Sequence, residues 1–114
     1  MSTMTKQELV RRLLDLPAEI AADEEAVLAE HENVLAAKDE LQLKEDRLQL
    51  SNPSVIDGKN AEIRAAQVRQ HTELERAALA EAELRLRHAA SRLERDHVQF
   101  RAYRAVADLL KVPV

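Results

Sequence analysis

Apolar residues recur every seven positions through a long stretch of this sequence that contains no glycine. The residues of this series are Ile20, Val27, Val34, Leu41 and Leu48. Seven residues are close to two turns of an α-helix, so the five side chains share one helix face. A β-fold would need alternating apolar residues and frequent turns, yet the chain has one glycine and 2% aromatic residues. The repeat therefore predicts an all-α fold of long amphipathic helices.

The strongest interruption of the helical pattern is a predicted loop at 51–57, followed by the single glycine, Gly58. This segment contains Pro53, two serines and an asparagine, which are residue types that favour turns. Beyond it, apolar residues again recur at steps of three and four, as expected for a second amphipathic helix. The sequence therefore predicts one domain, 1–114, folded as an antiparallel two-helix coiled-coil hairpin.

The predicted helices span about 5–15, 17–50 and 58–111. Thr5 and Glu8 have the spacing of a capping box, which favours a helix start. Pro17 has no amide hydrogen and is unfavourable inside a helix. We expect either a break or a kink there, and the predicted fold takes the break, with a short N-terminal helix before Pro17.

The two long helices are predicted to pack along an apolar seam. Facing residues in this seam have numbers that sum to about 113, which places Val34 opposite Leu79. The core seam residues are Leu13, Ile20, Val27, Val34, Leu41, Leu48, Leu79, Leu86, Leu93 and Phe100. Each helix of a hairpin has a single neighbour, so apolar residues beside the seam, such as Leu28 and Leu35, need further cover. We therefore expect a homodimer that forms a four-helix bundle.

Four polar residues are predicted to be partly buried beside the seam: Glu24, His31, Glu81 and His88. Polar pairs of this kind fix register and partner choice in coiled coils. Metal-binding bundles instead place Glu-x-x-His steps on facing helices, and this chain has one such step, at Glu94–His97. The sequence therefore predicts neither a metal nor another cofactor.

The sequence also predicts a protein that is not an enzyme and not membrane-bound. Ser91 has no convincing base-and-orienter set, and one glycine cannot build a phosphate-binding loop. No apolar run reaches the ~18 residues of a membrane span. The absence of cysteine fits a reducing compartment, so we expect a cytoplasmic protein.

Charge divides unevenly between the two predicted arms. Acidic residues outnumber basic residues from Thr5 to Leu50, and the reverse holds from Asp57 to Lys111. Attraction between the arms is the first interpretation. A nucleic-acid surface that includes Arg85 and Arg92 is the second, and it is the weaker one because no aromatic residue stands beside them and the pI is about 5.6.

The start of the second arm carries the step Gly-Lys-Asn-x-Glu-x-Arg, from Gly58 through Lys59 and Asn60 to Arg64. This segment resembles one in small coiled-coil hairpin proteins of unassigned function that tailed bacteriophages and prophages encode. The resemblance implies a phage-encoded protein that acts in a bacterial host cell. These four residues are either a structural turn or a tip that binds an anionic group at a helix N-terminus.

Three functional hypotheses remain open. The first is a non-enzymatic interaction or adaptor module that binds another protein, in phage DNA metabolism or in inhibition of a host defence. The second is a nucleic-acid-associated accessory protein, resembling the helical nuclease inhibitors of phages. The third is an assembly or scaffold component.

Overall fold

The computed structural model describes residues 4–50 and 54–111. Its helices are α1 (Lys6–Leu50), α2 (Ala61–His71) and α3 (Glu73–Lys111). No strand occurs in either of these two ranges. The predicted all-α class is therefore confirmed, while residues 51–53 of the predicted loop lie outside the described residues.

The N-terminus of α1 is closed by the predicted capping box. The amide of Thr5 donates to Oε2 of Glu8 at 3.0 Å, and the amide of Glu8 donates to Oγ1 of Thr5 at 3.1 Å. These two bonds satisfy donors that a helix start otherwise leaves without partners.

The predicted break before Pro17 is wrong, because α1 runs through Pro17 without interruption. Proline inside a helix removes one backbone hydrogen bond and costs about 3 kcal/mol. Packing of the turns before Pro17 offsets this cost: Leu16 has 0% of its surface exposed, and Leu9 is also buried. Burial of a leucine side chain stabilises by roughly 1.5–3 kcal/mol. Continuing the helix therefore keeps both leucines in contact with their neighbours.

The predicted helix at 58–111 is divided at Thr72. The backbone there turns to φ −119° and ψ 20°, and the Thr72 amide donates to the carbonyl of Arg69 at 3.2 Å. Its Oγ1 donates to the carbonyl of Val68 at 2.8 Å, which is the acceptor that the amide would use in a continuous helix. Because Thr72 is fully buried, this side-chain bond also satisfies a hydroxyl that water cannot reach.

The described residues group into two compact units. Unit 1 contains the described parts of Met1–Ala29 and Arg87–Val114, and unit 2 is Glu30–Leu86. This grouping leaves the prediction of a single domain untested.

Each unit contains an antiparallel pair of helical segments. In unit 1, the guanidinium of Arg12 donates to Gln99 at 3.4 Å, while Asp23 lies beside Asp96. In unit 2, Glu30 bonds to Arg85 at 3.2 Å and Glu45 pairs with Arg76 at 3.6 Å. In both units, a residue with a higher number on α1 pairs with a residue with a lower number on α3, as in an antiparallel helix pair.

The seam register in unit 1 differs from the predicted offset. That offset would place Ala90 opposite Asp23, whereas the structure brings Asp23 to Asp96, six residues further along α3. Short aspartate side chains report the register better than long ones such as Arg12, which extends forward along α1 to bond with Glu19 and Gln99. A heptad pattern repeats after seven residues, so a shift of nearly that length keeps the same faces in contact.

The predicted core seam residues lie on the packed faces of α1 and α3. Ile20, Val34 and Leu48 are buried. The other seven are half-buried: Leu13, Val27, Leu41, Leu79, Leu86, Leu93 and Phe100. The most deeply buried residues of α3 are two alanines, Ala82 and Ala89, whose small size lets the helices approach closely.

Candidate interaction surfaces

The segment before α2 is held by side chains of α2 itself. The amide of Gly58 donates to Oε1 of Gln67 at 2.9 Å, and Nε2 of Gln67 donates to Oδ1 of Asp57 at 2.8 Å. Nη1 of Arg64 donates to the Gly58 carbonyl at 3.1 Å. Gln67, which sequence reasoning missed, therefore joins Arg64 in fixing the path of the chain into α2.

Gly58 is required by a close approach and not by an unusual backbone conformation. No glycine among the described residues has a positive φ. A Cβ at Gly58 would lie 2.5 Å from Cγ2 of Ile63 and 3.0 Å from the amide nitrogen of Arg64. Asn60 caps α2 by accepting the Ile63 amide at 2.9 Å, and Lys59 is exposed. Three of the four predicted tip residues thus have a structural role, whether or not the tip also binds a ligand.

A cleft of about 710 Å³ opens beside α2 in unit 2. Its apolar lining residues are Ile56, Ala61, Ala65 and Val68, and its polar lining residues are Glu45, Gln49, Arg64, Arg69 and Arg76. We call this site the α2 cleft. The sequence placed Arg64 at the predicted tip but did not group it with the other lining residues, because the cleft depends on the helix break at Thr72.

Two of the three cleft arginines are oriented by hydrogen bonds. Arg64 is held on the Gly58 carbonyl, as described above. Nε of Arg76 donates to Oγ1 of Thr72 at 3.0 Å, and its Nη2 lies 3.6 Å from Oε1 of Glu45. The third, Arg69, is exposed, and its side chain makes no hydrogen bond or ion pair with any residue that the structure describes.

An acidic pair lies in the seam of unit 1, where Asp23 faces Asp96. Hydrogen-bond contact with Asp96 raises the pKa of Asp23, and burial and the negative charge of Asp96 act in the same direction. Arg92 opposes this shift by its positive charge, and Glu19 adds to it. Oδ2 of Asp23 is buried and has no hydrogen-bond partner among the residues that the structure describes. Two ionised carboxylates cannot hydrogen-bond to each other, so the contact favours a proton on one of them.

The partial burial predicted for four polar residues is not observed. Glu24, His31, Glu81 and His88 are all exposed. The second seam column of α1 consists instead of Leu9, Leu16, Asp23, Glu30 and Ala37, which are buried or half-buried. Asp23 and Glu30 interrupt the apolar pattern of this column, so apolar periodicity alone does not identify it.

Acidic residues lie near both arginines of the predicted nucleic-acid surface. Nε of Arg85 lies 3.2 Å from Glu30, and its Nη1 lies 3.1 Å from Glu81. Arg92 acts on Asp23, as described above. These neighbours reduce the positive charge that the surface offers to a phosphate.

Large apolar side chains are exposed on α1, away from its seam. In unit 1, Leu14 and Leu28 are 74% and 61% exposed, and Val10 is exposed as well. Leu28 and, in unit 2, Leu35 were predicted to lie beside the seam and to need cover. We call Leu14 and Leu28, with Ala21 between them at seven-residue spacing, the α1 column.

Within residues 4–50 and 54–111, no group of three His, Cys, Asp or Glu residues could hold a metal ion. Of the helices that the structure describes, none is long and apolar enough to cross a membrane.

Comparison with known proteins finds no match among protein-family models, curated proteins or solved structures. The geometry of the α2 cleft and of the α1 column therefore carries the functional argument.

Proposed function

We propose that this chain is a non-enzymatic protein-interaction module that self-associates through the α1 column. The observation that carries the proposal is the exposure of Leu14 and Leu28, which recur in register on α1 but do not contribute to its seam. An exposed leucine forgoes roughly 1.5–3 kcal/mol that burial would provide. Clustered apolar exposure of this kind is typical of protein–protein contact surfaces.

The finer form of this proposal is a coiled-coil hairpin that dimerises into a four-helix bundle. The antiparallel helix pairs of units 1 and 2 support the hairpin. The α1 column supports the dimer, because a second copy would cover it. A phage origin, and a partner in phage DNA metabolism or host defence, rest only on the resemblance of the segment from Gly58 to Arg64 and stay predictions.

Sedimentation equilibrium over a wide concentration range tests the self-association. We expect a discrete dimer for the unmodified chain and a monomer for the double variant Leu14→Glu/Leu28→Glu, with unchanged helical circular dichroism. The matched control is Leu74→Glu/Leu109→Glu, which places two glutamates at exposed leucines outside the column. The proposal is wrong if the unmodified chain stays monomeric, or if the column variant dimerises as well as the control.

The two alternative functions give different results in the same experiments. A scaffold component would form large oligomers that grow with concentration. A nucleic-acid accessory protein would bind DNA at low salt and lose affinity on the change of Arg85 and Arg92 to Ala. The contacts of Arg85 with Glu30 and Glu81 make this second alternative the less supported one.

A further inference from the structure

We propose that the α2 cleft binds an acidic amphipathic helical segment of a protein partner. The inference rests on the proposed function of protein binding and names the chemistry of the segment that this site accepts. It uses a surface different from the α1 column, so the two proposals can fail separately.

The charge of the cleft favours an acidic ligand. Arg64, Arg69 and Arg76 line it, and Glu45 is the single acidic residue among its lining residues. Glu45 already pairs with Arg76 at 3.6 Å, so Arg64 and Arg69 remain to attract carboxylates. Guanidinium groups bind carboxylates through paired hydrogen bonds, and Arg64 is held in place for this by the Gly58 carbonyl.

The apolar lining favours a helical segment over a small anion. Ala61, Ala65 and Val68 occupy positions i, i+4 and i+7 of α2, so they share one face. The two alanines add little bulk, which allows the backbone of a second helix to approach α2. A volume of about 710 Å³ exceeds the needs of one carboxylate and provides room for apolar side chains as well. A helix laid into a groove with apolar anchors and flanking charges is a recurrent mode of peptide recognition.

The same lining disfavours nucleic acid as the occupant. Single-stranded nucleic acid binds to basic grooves that also offer aromatic rings for base stacking. The cleft has no aromatic lining residue and presents Ile56 and Val68 instead. A phosphate backbone would gain nothing from those apolar groups, whereas leucines of an amphipathic helix would.

The hydrogen bonds around the cleft keep it formed before a ligand arrives. Gln67 hydrogen-bonds to both Asp57 and Gly58 before α2. The hydroxyl of Thr72 bonds to the carbonyl of Val68 at the end of α2 and accepts a hydrogen bond from the guanidinium of Arg76. A site that is already ordered loses less conformational entropy on binding.

Fluorescence anisotropy with three probes tests the proposal. The first probe is a fluorescein-labelled helical peptide of about four turns, with leucines at i and i+4 flanked by glutamates. The second probe has glutamine in place of each glutamate, and the third is single-stranded oligothymidylate. We expect the full-length chain to bind the glutamate peptide more tightly than either of the other probes, and more weakly as salt rises.

Variants of the full chain locate the binding site. Arg69→Gln should weaken binding of the glutamate peptide about fivefold, because one exposed ion pair is lost. Ala65→Leu fills the apolar part of the cleft and should weaken binding about tenfold, with little dependence on salt. Neither residue makes a hydrogen bond that holds the turn before α2, so circular dichroism should not change. The control is Arg95→Gln, an exposed arginine of α3 outside the cleft, which should bind as the unmodified chain does.

Several results would overturn the proposal. These are equal binding of the two peptides, binding of oligothymidylate that is tighter than that of the glutamate peptide and is weakened by Arg69→Gln, or an equal loss of peptide affinity in Arg69→Gln and Arg95→Gln.

Loss of the dimer in Arg69→Gln or Ala65→Leu would assign the cleft to a second copy of the chain instead. Peptide binding that persists in the monomeric Leu14→Glu/Leu28→Glu variant would support the cleft even if the α1 column had another role. Failure of the peptide with an intact dimer would remove the cleft and leave self-association in place.

Discussion

Units 1 and 2 both place acidic side chains at the seam, but they compensate them differently. In unit 2, Glu30 meets Arg85 and Glu45 meets Arg76 from the facing helix. In unit 1, Asp23 meets a second carboxylate, and one of its oxygens is buried without a hydrogen-bond partner. Asp23 and Glu30 occupy the same heptad position, yet the charge is compensated in unit 2 and poorly compensated in unit 1.

This difference indicates that the effect of a polar seam residue on stability depends on the residue that faces it across the seam. An acidic group beside an arginine keeps a favourable partner, whereas one facing another carboxylate loses hydration and gains repulsion. Unit 1 tolerates Asp23 because the residue is only half-buried and because Leu16 and Ile20 are buried nearby. An acidic group at a more buried position without an arginine should not be tolerated.

Val34→Asp in unit 2 tests that limit and should have the largest effect. Val34 is 6% exposed, so the new carboxylate would be buried in the apolar seam. We expect the free energy of unfolding to fall by about 4 kcal/mol. Urea unfolding followed by circular dichroism measures this change. Ala36→Asp, an exposed site on the same helix, is the control, and an equal loss in both variants would contradict the seam assignment.

Much of the fold could be predicted from apolar periodicity, because packing selects apolar residues at fixed helical spacing. The series from Ile20 to Leu48 lies on the packed face of α1 for this reason. The continuity of α1 through Pro17 could not be predicted, since local propensity argues for a break, whereas the burial of Leu9 and Leu16 that offsets it depends on tertiary packing. The break at Thr72 was equally hidden, because threonine in a helical pattern gives no strong signal.

The candidate sites were less accessible from the sequence. The α2 cleft requires the geometry around Thr72, so Arg69 and Arg76 could not be grouped with Arg64 in advance. Asp96 fills the seven-residue gap between Leu93 and Phe100, but a search for apolar side chains passes over a carboxylate at such a position. The gap itself was the signal that could have found it.

Asp23→Asn would give unit 1 an uncharged seam residue in place of the poorly compensated carboxylate. The amide removes one negative charge and can donate a hydrogen bond to Asp96. We expect the free energy of unfolding to rise by about 1 kcal/mol at neutral pH. Glu25→Gln, an exposed acidic residue on the same helix, is the control and should change stability by less than about 0.5 kcal/mol. A loss of stability in Asp23→Asn would mean that the charge of Asp23 is favourable after all.

The pH dependence of stability provides an independent check on the same pair. The pKa of Asp23 is raised in the folded chain above its ordinary value of 3.8, so the folded state binds more protons between those two values. Stability therefore falls as pH rises through this window and is partly recovered on acidification. Urea unfolding in steps from neutral pH down to about pH 4 should show this component in the unmodified chain and not in Asp23→Asn. Parallel pH profiles for the two proteins would contradict it.

Arg85→Gln breaks the compensation in unit 2 and should have the smallest effect of the three. Arg85 bonds to Glu30 across the seam and to Glu81 on its own helix, but its side chain is 48% exposed. Exposed ion pairs contribute little, so we expect a loss of about 0.5 kcal/mol that shrinks at high salt. The control is Arg87→Gln on the same helix, since the structure pairs Arg87 with no acidic residue among those it describes. If Arg85→Gln lowers the free energy of unfolding no more than Arg87→Gln at low salt, then Glu30 is tolerated because it is partly hydrated. The two units would then differ in the burial of their acidic seam residues and not in ion pairing.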